Sequence, residues 1–294
     1  MRACSLPSTV VIGTIGDLVE DIAVRLSGPI QLASDTAARV ERRRGGSAAN
    51  MAVAVARAGG RARFIGQVGA DPLGDLLVSA LERDGVEAVV RRGGATGTIV
   101  VLVDASGERT MLTDRAACDE LAGPEPSWLD GLLALHVPLY SMTSGPLAAT
   151  SATLVEWARQ RSIMVSMDAS SASVIQAWGA SETCDRIRAW APDILLCNEL
   201  EAAVLGGVDG LRGLARSVTI VKQGPRPALI LAAGAEIVEV PAVDDRAVSD
   251  TTGAGDAFAA GVLLAAVEGR DWIAAVESGH RSAREAIRLV SGAA

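Results

Sequence analysis

The sequence is poor in aromatic rings, histidine, lysine and paired cysteine, and each shortage closes off a class of function. Aromatics are 3% of its 294 residues while 49% are hydrophobic, so the core must be built from Ala, Val, Leu and Ile. A chain of this length can bury a sizeable core of that kind. The four cysteines (Cys4, Cys118, Cys184 and Cys197) form no CxxC pair, and only two histidines accompany them. That argues against a zinc site or a disulfide framework and for reduced thiols. A net charge of −8 leaves no basic surplus for nucleic acid. Of 27 basic residues only Lys222 is a lysine, an arginine bias that reads as genomic base composition. No apolar run reaches the roughly 18 residues of a membrane span. The early apolar stretch is broken by Gly13, Gly16, Asp17, Glu20 and Asp21, as a first strand would be and a secretion signal would not. A cytoplasmic protein without a membrane partner is expected. There is no GxxxxGK[ST] loop, and Gly13-Thr-Ile-Gly16 falls short of GxGxxG, so neither a Walker-type kinase nor a dinucleotide binder is indicated.

What is present is an alternation of short apolar runs and helical patterns. Strands are expected at Thr9 to Ile15, Ala62 to Val68, Leu132 to Val137, Met164 to Met167, Ile194 to Cys197, Val218 to Val221 and Ala228 to Leu231. Helices are expected at Ala48 to Ala58, Leu73 to Arg83, Leu147 to Arg161 and Glu199 to Leu205. Such alternation implies an α/β chain with a mostly parallel sheet sandwiched by helices. No linker, repeat or low-complexity segment divides it, so residues 1–294 read as a single domain. Two segments depart from the pattern: about 22–40, polar and loosely β-like, and about 97–112, a hairpin turning at Asp104-Ala-Ser-Gly107.

The most informative run is Asp250-Thr-Thr-Gly-Ala-Gly-Asp256-Ala-Phe258, which leads into apolar residues at helical spacing. Backbone N–H groups of Gly253, Ala254 and Gly255 at a helix N-terminus would favour an anion. A carboxylate follows at Asp256. A base beside an anion cradle suits proton removal from a hydroxyl while charge develops on a transferring phosphoryl group. Alternatively, the run is a Gly-rich turn with Asp256 as a helix-start residue.

The whole nonapeptide resembles the signature of the ribokinase/PfkB carbohydrate kinases. Three further stretches are similar to that family in the expected order: Gly45-Gly46-Ser-Ala-Ala-Asn50, Gly66-Gln-Val-Gly69-Ala-Asp71-Pro-Leu-Gly74, and Asn198-Glu-Leu-Glu201. The resemblance implies a ribokinase-like fold with the two departing segments as a small β lid, and a homodimer paired through the lid strands. It implies an ATP- and Mg²⁺-dependent phosphotransferase acting on a sugar hydroxyl, with Asp256 as base and Gly253, Ala254 and Gly255 as anion hole. Acceptor binding is carried to Asp17, Asp21 and Asn50, with Gly45 and Gly46 allowing close backbone approach to a sugar ring. Asn198 and Glu201 would organise Mg²⁺ through water. Lys222 and Gly224 would line the nucleotide pocket, with Pro227 standing where a second glycine is common. Asp250 and Thr252 fall where some members bind a monovalent cation such as K⁺.

Structural alternatives stand beside these roles: Asp17 as a turn residue, Asn50 as a helix cap, Glu201 as an exposed first-turn acid, Lys222 as a solvated strand end. Asp168 lacks the Asn and Arg that often follow it in the family and is left out of the catalytic set. Arg109 at the hairpin reads as an acceptor contact or a surface pair. Arg42-Arg43-Arg44 reads as a solvated face, or as a contact for a phosphorylated acceptor. A nucleoside kinase, of adenosine or pseudouridine type, is the main rival, disfavoured by the scarcity of stacking rings. A sugar-phosphate kinase and a catalytically idle ATP-binding regulator follow.

Overall fold

The computed structural model describes residues 11–104, 109–232, 234–242, 251 and 253–291. In chain order, strands Val11–Ile15 (β1), Val19–Leu26 (β2) and Ala38–Gly45 (β3) precede helix Ser47–Arg57 (α1). Arg61–Val68 (β4), helix Pro72–Arg83 (α2), Val86–Arg92 (β5), Thr98–Val103 (β6) and Arg109–Asp114 (β7) follow. Next come Leu132–Pro138 (β8), Gly145–Gln160 (α3), Met164–Asp168 (β9), Ala172–Trp178 (α4) and Ala180–Trp190 (α5). Ile194–Asn198 (β10), Glu199–Val204 (α6), Gly207–Leu211 (α7), Val218–Lys222 (β11), Ala228–Ala232 (β12) and Val238–Val240 (β13) lead to Ala254–Val267 (α8) and Trp272–Ser291 (α9).

Nine strands form one sheet in the order β13-β12-β11-β10-β9-β8-β1-β4-β5. Every neighbour from β11 to β5 is parallel, and β12 and β13 close the other edge antiparallel. Side chains alternate across a strand, so each strand feeds two cores. Ile194 and Leu196 join α1, α2, α8 and α9 on one face, while Leu195 and Cys197 join α3 to α7 on the other. Helix α8 is apolar all round, as a central helix must be: residues 257–266 are all buried. Its partner α9 crosses so closely that a Cβ on Gly261 would stand 2.5 Å from the Ser278 carbonyl oxygen.

The remaining strands make a second sheet, β3-β2-β6-β7. The hairpin expected at about 97–112 supplies β6 and β7, its turn lying outside the described residues. The other excursion is wider than the 22–40 expected, because β2 starts at Val19 and β3 runs on to Gly45. The arginine run 42–44, read as a solvated face, is in fact strand paired against the acids of β2. Arg43 sits opposite Asp21, and Arg42 reaches Glu20 at 3.2 Å. Arg44 turns instead to Asp84, 3.0 Å away. No helix of the described residues is long and apolar enough to cross a membrane.

Candidate active site

Three parallel strands end in a polar residue at the sheet's C-terminal edge: Asp168 on β9, Asn198 on β10 and Lys222 on β11. This edge is where open α/β sheets bind ligands. Lys222 Nζ donates to Asp168 Oδ2 at 2.5 Å. Asp168 Oδ1 accepts from the Ser170 N–H at 3.0 Å, so both its oxygens are held. Beneath them His136, fully buried and 3.1 Å from Ser166 Oγ, has its pKa pushed down to about 4 by burial and stays neutral.

Asn198 and Glu201 close a capping box at the start of α6. The Asn198 backbone N–H and side-chain amide donate one to each Glu201 carboxylate oxygen, both at 2.8 Å, and Asn198 Oδ1 accepts from the Glu201 N–H at 2.9 Å. Glu201 is 3% exposed, which removes the reading of a solvated first-turn acid. Burial, reinforced by Asp168, raises its pKa to about 7.

Helix α8 follows its N-cap Gly253, whose φ of +77° suits glycine, and among the described residues no side chain caps it. The Ala254 N–H turns back to the Thr251 carbonyl at 3.1 Å. Asp256 stands in the first turn. Its Oδ1 accepts from Ser47 Oγ at 2.6 Å, and the Asn50 side chain also hydrogen-bonds it. Burial raises the Asp256 pKa to about 6, with Asp168 adding to the rise and Ser47, Lys222 and Asn50 opposing it. Lys222 Nζ lies 3.6 Å from where a Cβ on Gly255 would stand, so the strand edge and the helix start form one cluster.

Glycines bring the other end of the site to the same place. A Cβ on Gly46 would stand 2.1 Å from the Asp17 carbonyl oxygen, and one on Gly45 would stand 2.1 Å from the Asp21 carboxylate. Gly46, with φ +100° and the Asp17 backbone against it, is thus required by contacts within the chain, while a side chain at Gly45 would displace the Asp21 carboxylate. Asn50 lies one turn inside α1, where Gly46 is the N-cap, so it is no cap either. Asp17 is held in a two-pronged pair by Arg115 at 2.7 and 2.8 Å, each side chain little exposed. Burial raises the Asp21 pKa to about 6 against the pull of Arg43.

The profile of the pfkB family carbohydrate kinases matches residues 10–294. The chain belongs to the pfkB family. It is 34% identical over 249 residues to a fructokinase from Klebsiella pneumoniae, covering 80% of each chain. The adenosine kinase from Sinorhizobium meliloti superposes with a TM-score of 0.83 at 27% identity, covering 97% of this chain and 94% of that one. A ribokinase from Thermotoga maritima shares the fold at a TM-score of 0.76 and 24% identity, covering 96% and 94%. The protein is accordingly an ATP-dependent sugar kinase with the ribokinase-like fold.

For a pfkB kinase, the structure gathers Asp17, Gly45, Gly46, Asn50, Asn198, Glu201, Lys222, Gly253, Ala254, Gly255 and Asp256 around one edge of the sheet. Gly224 follows β11 on the exposed surface, with φ +60°. Asp250, Thr252 and the side chain of Arg109 lie outside the described residues. Lys222 is not a solvated strand end, since its side chain is only 16% exposed. Sequence reasoning missed Ser47 and Arg115, and it set aside Asp168, which the structure joins to Lys222. Ser47 sits inside the quoted GGSAAN run, where a hydroxyl at a helix start was the available signal; Arg115 carries no local signal.

Proposed function

We propose that this kinase transfers the γ-phosphoryl group of ATP to a hydroxyl of a ketohexose of the fructose type, with Asp256 as general base. The observation that supports it best is the Asp256 carboxylate, fixed by Ser47 and Asn50 in the first turn of an uncapped helix. Its pKa of about 6 suits a base that is ionised at neutral pH yet able to take a proton. The hydroxyl oxygen attacks the γ-phosphorus, its proton passes to Asp256, and ADP leaves. The Gly253 and Gly255 N–H groups stabilise the transferring group, the Ala254 N–H being held by the Thr251 carbonyl. Asp17 and Asp21 bind acceptor hydroxyls, Asp17 with its carboxylate oriented by Arg115. Asn50 works through Asp256, so its part in acceptor binding is shared with positioning the base.

Among the described residues no group of three or more His, Cys, Asp or Glu side chains is placed to hold a metal. Both Glu201 oxygens are engaged by Asn198. The residues therefore fit a Mg²⁺ carried by the triphosphate and water, with Asn198 and Glu201 behind the water shell. Bound there, Mg²⁺ would neutralise phosphate charge. Lys222 and Gly224 border the nucleotide side.

The second sheet acts as a lid. One face carries an apolar patch of Ile22, Val24, Val40, Val100, Leu102 and Leu112, with Val40 56% and Leu112 55% exposed, bordered by the Arg42–Glu20 pair. We assign that face to a homodimer contact.

The likeness to an adenosine kinase favours a nucleoside as the second reading. Against it, Phe64 and Phe258 are both packed in the core and cannot stack a base. ADP release measured across fructose, other hexoses, pentoses, sugar phosphates and adenosine decides. A kcat/KM for fructose below that for adenosine overturns the first reading.

A further inference from the structure

Lys222 is the one lysine among 27 basic residues. A composition that has made every other basic position arginine has kept an ammonium here. The two differ physically: an ammonium is a compact point charge with three rotatable donors, whereas guanidinium is a broad planar fork. The site has room for the former. Lys222 Nζ is wedged between Asp168 Oδ2, at 2.5 Å, and the Gly255 turn, where a Cβ would come within 3.6 Å of it.

The lysine's partner is itself held. Asp168 is clamped by the Ser170 N–H, delivered by a left-handed backbone with φ +55° at Ser170. Left-handed backbone is strained for a residue other than glycine, so this clamp is maintained at a cost. Lys222 supplies the cation to Asp168 from two strands away in the sheet. The charged groups around the ammonium are Asp168, Glu201 and Asp256, with neutral His136 beneath. Taken as a structural device, this arrangement is poor, since a buried ion pair adds little stability over well-packed apolar residues. Of three ammonium donors, one hydrogen bond is committed, to Asp168. Among the described residues no hydrogen bond engages the other two, which leaves them for an anion on the Gly255 turn.

We propose that Lys222 is a further catalytic residue, whose ammonium, oriented by Asp168, contacts the γ-phosphoryl group and neutralises the charge gathered on it during transfer. This rests on the phosphoryl-transfer reading above. The bond between the γ-phosphorus and the oxygen bridging to the β-phosphate breaks, and ADP leaves with its electron pair. The bond to the acceptor oxygen forms, and the hydroxyl proton goes to Asp256. Lys222 stays protonated throughout and supplies charge alone.

The test compares Lys222→Met, Lys222→Arg, Asp168→Asn and the double variant Asp168→Asn/Lys222→Met with the wild type. Turnover with the best acceptor is measured beside equilibrium binding of ADP and of a β,γ-imido ATP analogue. Lys222→Met is expected to lower kcat by about 10²–10³-fold, as loss of an oxyanion donor does. It should weaken the triphosphate analogue by about 10-fold or more, the worth of a hydrogen bond from a charged group, and ADP much less. Lys222→Arg keeps the charge and should recover only a minor part of kcat. Asp168→Asn should lower kcat with acceptor KM unchanged. If Lys222→Met does not fold, the double variant, which removes both charges, must show the same selective loss. Equal weakening of ADP and the analogue, or near-normal kcat in Lys222→Met or the double variant, overturns the proposal and leaves the lysine as a neutraliser of Asp168 and Glu201. A wild type that phosphorylates no acceptor overturns the kinase reading instead, so the two failures are distinct.

Discussion

Replacing Asp256 by Asn tests the site at its centre. The amide keeps the shape and an acceptor for Ser47 Oγ, which stands 2.6 Å from Oδ1. Its NH₂ then faces the Asn50 side chain, and the lost hydrogen bond costs about 1 kcal/mol. Against that stands the burial of the carboxylate, which lifts its pKa from 3.8 to about 6. The native state thus disfavours the ionised form. The wild type carries that destabilisation above about pH 6 and loses it as pH falls below the unfolded value. The variant should therefore melt no lower than the wild type at pH 7.5, and that relative advantage should shrink toward pH 4. Turnover behaves oppositely: without a base, kcat should fall by about 10²–10⁴-fold. The wild-type kcat/KM should decline about tenfold per pH unit below about pH 6, and the variant's residual rate should not follow that slope. Coupled ADP release from pH 5 to 8, with melting curves at pH 4 and 7.5, measures both. Turnover within tenfold of wild type, or a wild-type profile flat down to pH 5, would falsify the assignment of Asp256 as base.

Arg115→Met strands the Asp17 carboxylate; acceptor KM should rise with ATP KM unchanged, and stability should drop by about 3–5 kcal/mol, the penalty for breaking a buried pair. An unaltered acceptor KM would detach Asp17 from the acceptor. Gly261→Ala puts a Cβ 2.5 Å from the Ser278 carbonyl oxygen and should cost about 1–3 kcal/mol by urea unfolding; an unchanged midpoint would mean the α8–α9 crossing is looser than described. Val100→Glu on the outer lid face should yield a monomer by light scattering, and a dimeric mass would place the interface elsewhere.

The buried strands were legible because each is a run of about five apolar residues between turn signals, a pattern forced on strands covered on both faces. Strand β5 was not singled out: Val86–Arg92 ends in two arginines and lies at the sheet edge, with only partial burial to shape its pattern. Strand β3 was misjudged because the partners of its arginines are distant in sequence: Arg42 meets Glu20 on the paired strand, and Arg44 meets Asp84. The motifs at the starts of α6 and α8 were picked out because their spacing is local. The pairs Asp17–Arg115 and Asp168–Lys222 were not, being 98 and 54 residues apart and joined only by strand order. One trace of the latter was in plain view: a single lysine in a chain that otherwise uses arginine.

The proposed base is mounted on a helix whose residues 257–266 are all buried, whereas Asp21, proposed to hold the acceptor, hangs on the small four-stranded sheet. Heating should then separate two kinds of failure. Grip on the acceptor can soften while the large core stays intact, so KM should climb several degrees before the protein melts. Catalytic competence at saturating acceptor should persist until α8 itself gives way, and vanish together with the fold.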